Sequence, residues 1–316
     1  MNQWPHPLSY KFKKKGKFFS EKKLNFIEDF FSKKYKVKYA LLCPSTRSSI
    51  NLILTYLKFN RSNTVSIPKW SSHCLFESIG AITNISVGNF EKSNCVLSVH
   101  KWGNTYKFNS KNSKAIIIED SADCLPNEKY LPFENNSKFE VISLPKIIAS
   151  FSGGIILTNN KKFYKYGKRK QKENRGLGIE QSKKKYYSLV TKKIKIKEWF
   201  YDESFNTSFD KNTIDNIFSC IEFFDKNLKI IKLRQKLIKK IIPNTNFDKK
   251  RLGPCVIFSK KKYPSFKKIF ELKHFDFSKN LKNQKYEKCF IFPIHFRISD
   301  KIFKRKIAQM KKAYKR

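Results

Sequence analysis

The sequence predicts an α/β fold: a mostly parallel central sheet covered by helices, followed by a smaller C-terminal α/β domain. Three observations lead there. Short apolar runs alternate with helix-length segments through the first two-thirds of the chain. A long stretch of helical periodicity, 211–243, follows. Two more apolar runs and a terminal amphipathic segment close the chain. At 316 residues there is material for a large domain over 1–210, with linking helices and a small domain over 211–316.

Taken in order, YALLC at 39–43 reads as a strand, SSINLILTYLKF at 48–59 as a helix and TVSIP at 64–68 as the next strand. NISVGN at 84–89, CVLSVH at 95–100, AIIIED at 115–120, EVISL at 140–144 and GIILTN at 154–159 continue the series. Strands separated by helix-length crossovers favour parallel pairing over a β-sandwich, and sites in such sheets collect where strands end and helices begin. In the last third, Pro243 stops the helical stretch. GPCVIF at 253–258 and KCFIFPIHF at 288–296 read as strands, and the Ser-Asp at 299–300 caps a helix running to 316.

The chain carries 68 Lys and Arg against 25 Asp and Glu, a formal charge of +43, yet 40% of it is apolar, with 30 Phe and 14 Tyr, which excludes global disorder. Lysine is accompanied by Asn, Ile and Phe throughout, so the charge is dispersed and points to no specific nucleic acid. The densest stretches, 165–175, 183–187 and 191–197, read as a solvated loop and helix face; weak peripheral contact with an anionic membrane is the second reading. Seven cysteines have no close CxxC pair, and nothing has metal-ligand spacing. With no secretory leader and no membrane-length apolar stretch, they read as reduced, often buried thiols of a cytoplasmic protein.

Three features join into one chemistry. AIIIEDSAD ends a strand in Asp120, a carboxylate that needs a cationic partner if buried and otherwise serves as a helix cap. SLPK places Lys146 just beyond another strand, where desolvation lowers an amine's pKa and prepares it to form an imine with an aldehyde. Ser143 stands beside it to orient a phosphate, and Gly153 and Gly154 permit close backbone passage. In PSTRSSINLIL, Thr46, Arg47, Ser48 and Ser49 open a helix whose free N–H groups suit a phosphate, or form a simple polar cap. A cofactor bearing both aldehyde and phosphate uses all three, and pyridoxal 5'-phosphate fits, with Lys146 as attachment point and proton carrier and Asp120 on the pyridine nitrogen.

These residues resemble the DegT/StrS family of fold-type I pyridoxal-phosphate aminotransferases. The matching pieces occur in family order: CPSTRSSINLIL at 43–54, TVSIPKWSSHCLFESIGAI at 64–82, AIIIEDSAD at 115–123, SLPKIIASFSGGIILTNN at 143–160 and FPIHFRIS at 292–299. The resemblance implies a homodimer that moves an amino group, with glutamate as donor, to a nucleotide-linked keto sugar for surface polysaccharide. It implies Lys146 as the Schiff-base residue, Asp120 as the pyridine partner, and Ser48 and Ser143 at the phosphate. Asn206 corresponds to the asparagine that a neighbouring subunit lends to the phosphate. Departures are Thr46 and Arg47 for glycine and threonine in the phosphate turn, and Asp123 where the family has Gln or His near the ring hydroxyl. Ser72 stands where an aromatic stacks on the ring, leaving Trp70 or His73 to compensate. The retained lysine argues against the family's dehydratase branch. Elimination or racemisation with the same cofactor, and a catalytically degenerate basic interaction protein, are the alternatives.

Overall fold

The computed structural model describes Pro5 and residues 20–69, 71–108, 114–245, 247–268, 271–276 and 286–314. The chain opens with α1 (Glu21–Tyr35), β1 (Tyr39–Cys43), α2 (Thr46–Tyr56), β2 (Thr64–Ile67), α3 (His73–Gly80), β3 (Asn84–Val87) and β4 (Cys95–Val99). After a 3-10 turn at Lys101–Gly103 come β5 (Ile116–Ser121), β6 (Leu125–Pro126), β7 (Phe139–Ser143), α4 (Leu144–Ile148) and β8 (Gly154–Thr158). Helices α5 (Lys161–Glu173), α6 (Arg175–Leu189), α7 (Lys197–Glu203), α8 (Lys211–Ile221) and α9 (Phe224–Ile241) follow. The C-terminal part holds β9 (Arg251–Leu252), β10 (Cys255–Ser259), β11 (Glu271–Asp276), β12 (Tyr286–Pro293) and α10 (Asp300–Tyr314).

Seven strands form one sheet in the order β1-β8-β7-β5-β4-β2-β3. From β7 to β3 all neighbours are parallel, whereas β8 runs antiparallel to both β1 and β7. The parallel strands therefore end on one edge of the sheet. A separate antiparallel sheet, β10-β12-β11, carries α10, and the short pair β6-β9 ties the two parts together.

Every strand expected from an apolar run forms. The 211–243 stretch breaks at Glu222 and Phe223 into α8 and α9 and stops before Pro243. The basic stretches 165–175 and 183–187 lie on α5 and α6; Phe163, Gly167 and Gln171 of α5 face inward and Lys165 and Arg169 are exposed, but the expected solvated face fails at Lys185 of α6, which is buried because Glu203 pairs with its ammonium. One core joins Leu24, Ile27 and Phe31 of α1 to Ile214 and Ile217 of α8 and to Phe290 and Phe292 of β12, so packing continues across position 210. Six of the seven cysteine thiols are buried, and all seven are free. Among the described residues, no helix is long and apolar enough to cross a membrane.

Behind the edge of the sheet, Arg251 is held between two buried carboxylates. Glu119 of β5 and Glu140 of β7 are register partners, both fully buried. Arg251 Nη2 lies 3.0 Å from Glu119 Oε2, its Nη1 contacts Glu140 Oε1, and His100 Nε2 approaches Glu119 Oε2 at 2.8 Å. Removing one partner of such a group leaves uncompensated buried charge. Arg251→Met is expected to cost about 3–5 kcal/mol, read as a lowered urea midpoint with an unchanged slope.

Candidate active site

A cavity of about 170 Å³ opens where β4, β5 and β7 end. β5 delivers Asp120, 3% exposed, whose Oδ1 accepts the Ala122 N–H at 2.8 Å. Burial pushes its carboxyl up to about 6; the neighbouring Asp123 adds to this, while the Ala122 N–H, Lys146 and Lys101 oppose it. β7 delivers Ser143, and the single turn of α4, stiffened by Pro145, carries Lys146 to the cavity wall. Lys146 Nζ sits 2.6 Å from Asp123 Oδ1. The sequence led us to expect a desolvated lysine with a lowered pKa, and here the structure differs. Burial does disfavour the ammonium, but Asp123, with help from Asp120, overrides it and holds Lys146 above the ordinary lysine value. Lys146 is therefore stored as a cation, and must leave Asp123 before its amine can attack anything.

The turn that opens α2 is built by a cap and two glycines. Ser45 caps α2, its Oγ accepting the Ser48 N–H at 3.2 Å, while Ser48 Oγ accepts the Ser45 N–H at 2.9 Å and donates to Ser45 O at 2.8 Å. This capping box consumes the Ser48 hydroxyl, which is buried outside the cavity lining; Ser45 and Thr46 face the cavity instead. A Cβ at Gly154 would stand 2.5 Å from the Ser45 carbonyl carbon and oxygen, and at Gly153, with φ of +120°, 2.8 Å from Leu144 Cδ1. Gly153 N–H donates to Pro44 O at 2.8 Å. The pair thus presses the start of α2 against the Lys146 turn. Gly154→Ala is expected to cost about 1–3 kcal/mol through overpacking, seen as a lower melting temperature.

Arg47 lines the cavity but is already engaged: Nη2 lies 2.5 Å from Glu203 Oε2, and the guanidinium stacks 3.5 Å from the centroid of Phe200. Lys185 Nζ reaches Glu203 Oε1 at 2.7 Å and Ser152 Oγ at 3.0 Å. Burial lowers the Lys185 pKa, against the pull of Glu203. Lys101, beyond the end of β4, is lowered chiefly by burial, while Asp123 and Asp120 work the other way.

Of the expected site residues, Lys146, Asp120, Ser143, Thr46, Arg47 and Asp123 line this one cavity. Ser48, His73 and Asn206 do not. His73 projects into solvent from the start of α3, its side chain 84% exposed and 3.3 Å from Glu77, so it is not placed to pack on a ring. Asn206, which the resemblance assigns to the partner subunit's phosphate, is buried, with Oδ1 accepting Ser208 N–H and Nδ2 donating to Ser208 O. Trp70 lies outside the described residues. Ser72 does line the cavity, together with Leu75 and Val99. Lys101, Lys185, Trp199 and Glu203 also line it; of these, Lys101 stands just beyond a strand end, where the sequence points to sites, and Lys185 lies in a basic run that reads as a solvated face. A larger cavity of about 310 Å³, at Gln235, Thr245 and Phe258, holds neither Lys146 nor Asp120.

A family model described as "Putative PLP-dependent aminotransferase" matches residues 27–313. No curated protein matches the sequence. Among solved structures, a DegT DnrJ EryC1 StrS aminotransferase from Brucella abortus gives a TM-score of 0.65 at 10% identity, covering 94% of this chain and 91% of that one. The "putative sugar aminotransferase" of Streptococcus pneumoniae in its PMP form gives 0.63 at 12%, covering 100% and 99%. A GDP-4-keto-6-deoxymannose-3-dehydratase with bound GDP-perosamine gives 0.62 at 13%, covering 94% and 93%. At these identities the likeness is one of fold.

Proposed function

The chain belongs to the PLP-dependent aminotransferase family whose model spans residues 27–313, and from that premise we propose that it transfers an amino group from glutamate to a nucleotide-linked keto sugar. Its architecture is that of fold-type I PLP-dependent transferases, and pyridoxal 5'-phosphate is the cofactor. When bound, that cofactor supplies an aldehyde for an amine and a ring that accepts electrons.

The observation that carries the reading is the convergence of Lys146, Asp120, Ser143 and the N-terminus of α2 on one cavity. The residues fit the cofactor: an amine for the aldehyde, a buried carboxylate for the pyridine nitrogen, and hydroxyls with free N–H groups for the phosphate. In this proposal Lys146 provides the attachment point and, once released by the incoming donor, takes a proton from the donor's α-carbon. Asp120 keeps the ring nitrogen protonated. Asp123 holds the Lys146 ammonium and would be available to the ring hydroxyl.

The nucleotide-sugar acceptor is supported by the named activities of the sugar aminotransferase and the dehydratase that share this fold. The proposal includes a cytoplasmic homodimer, a large domain over 1–210 and a small one over 211–316, and a role in surface polysaccharide synthesis. Purified protein given PLP is expected to acquire the visible absorption of a lysine-bound cofactor, which glutamate discharges and a nucleotide-linked keto sugar restores. Discharge by other amines but never glutamate removes the donor assignment. Elimination with the same cofactor is the competing outcome of this test; consumption of a nucleotide sugar with no amine incorporated would establish it in place of transfer.

A further inference from the structure

Glu203 stands inside the cavity as an anion between two cations. Its carboxylate takes Arg47 at 2.5 Å on one oxygen and Lys185 at 2.7 Å on the other, with its side chain only 4% exposed. Beside it, Arg47 Nε and Trp199 Nε1 are buried donors with no acceptor. The site thus holds two cations and two buried, unanswered N–H groups against one carboxylate, next to the N-terminus of an 11-residue helix. That donor surplus matches a phosphate dianion, which has one more oxygen to present and one more charge.

We propose that Glu203 is a displaceable internal anion that holds Arg47 and Lys185 in the cofactor-free protein and yields them to the phosphate of the cofactor. The inference rests on the cofactor reading above. Two anions sharing one buried guanidinium repel each other, so phosphate entry expels the carboxylate rather than joining it. The element that must move is short: α7 has seven residues, of which Trp199 and Glu203 are buried. Displacing Glu203 therefore shifts Trp199 as well, and couples cofactor entry to the position of α7. Arg47 differs from the family's threonine at a point where a neutral hydroxyl would need no such counter-ion.

The test compares PLP with pyridoxal, which has the aldehyde but no phosphate, in visible-absorption titrations of the cofactor-free protein. Glu203→Gln is expected to raise the preference for PLP over pyridoxal about tenfold, through the PLP arm alone. Colour formation through Lys146 with both compounds would leave the cofactor reading intact whatever the ratio does. An unchanged or reduced preference overturns the exchange and makes Glu203 a positioning residue for Arg47. A measurement on the unaltered chain decides the matter even if that variant does not fold. Inorganic phosphate is expected to change the indole fluorescence of the wild-type protein and to leave Trp199→Phe unchanged; no difference between the two proteins overturns the proposal.

Discussion

Replacing Lys146 by alanine is expected to abolish the visible absorption of the cofactor-loaded protein and to lower turnover by on the order of 10³–10⁴-fold. One side chain carries two duties in the proposed reaction, attachment and proton movement, and water substitutes poorly for either. Two other lysines line the same cavity, Lys101 and Lys185, so charge alone does not select Lys146. What selects it is position: it leaves the turn after β7 and meets Asp123 at 2.6 Å, whereas Lys185 is bound to Glu203 and Ser152. Lys146→Arg separates amine from charge. It preserves a cation for Asp123 but cannot form the bond, so it should match the alanine variant in colour and turnover while keeping more of the wild-type stability. Retention of the visible band in Lys146→Ala would transfer the assignment to one of the other two lysines.

The residues that the sequence made legible share a property: each sits at the end of an apolar run. Asp120 is next to last in β5, Ser143 closes β7, and Thr46 and Arg47 open α2, so hydrophobic periodicity alone points to them. By the same rule Lys101, immediately beyond the end of β4, was within reach. A lysine in a chain with 68 basic residues, however, carries little information by type. Glu203 and Lys185 were beyond local reading, since their meaning comes from partners up to 156 residues away. Ser48 and Asn206 illustrate the converse. Their residue types suit phosphate, but a capping box and an Asx-type turn engage the same atoms, so residue type alone does not fix their use. The sign of the Lys146 shift was likewise hidden, because desolvation could be anticipated from strand-end placement while the approach of Asp123 could not. Arg251, which bridges the two strands carrying the site, lies in a two-residue strand too short to show any period.

At Asp120 the expected effects on turnover and on stability have opposite signs. Asp120→Asn should lower turnover by about 10²–10³-fold, because an amide cannot balance a protonated ring nitrogen. The same change should stabilise the cofactor-free protein at neutral pH. Burial raises the folded-state carboxyl from its ordinary value of 3.8 to about 6. Between those values the folded state binds more protons than the unfolded chain, so this group's contribution to stability falls as pH rises through the window. Above pH 6 the ionised carboxylate costs up to about 3 kcal/mol relative to a carboxyl with no shift. Asparagine retains an oxygen for the Ala122 N–H without the charge, so the variant's melting temperature should exceed the wild type's by an amount that grows from pH 4 to pH 7. Adding PLP should shrink or reverse that gap, since a protonated pyridine gives Asp120 the cation it otherwise obtains only from Lys146 and Lys101 at a distance. Parallel pH profiles for the two proteins would show that Asp120 is not the strained group. A gap untouched by PLP would show that its strain is not relieved by the ring. A site of this kind binds its cofactor partly by relief of an unfavourable charge already built into the fold, which makes cofactor affinity, stability and pH dependence three readings of one carboxylate.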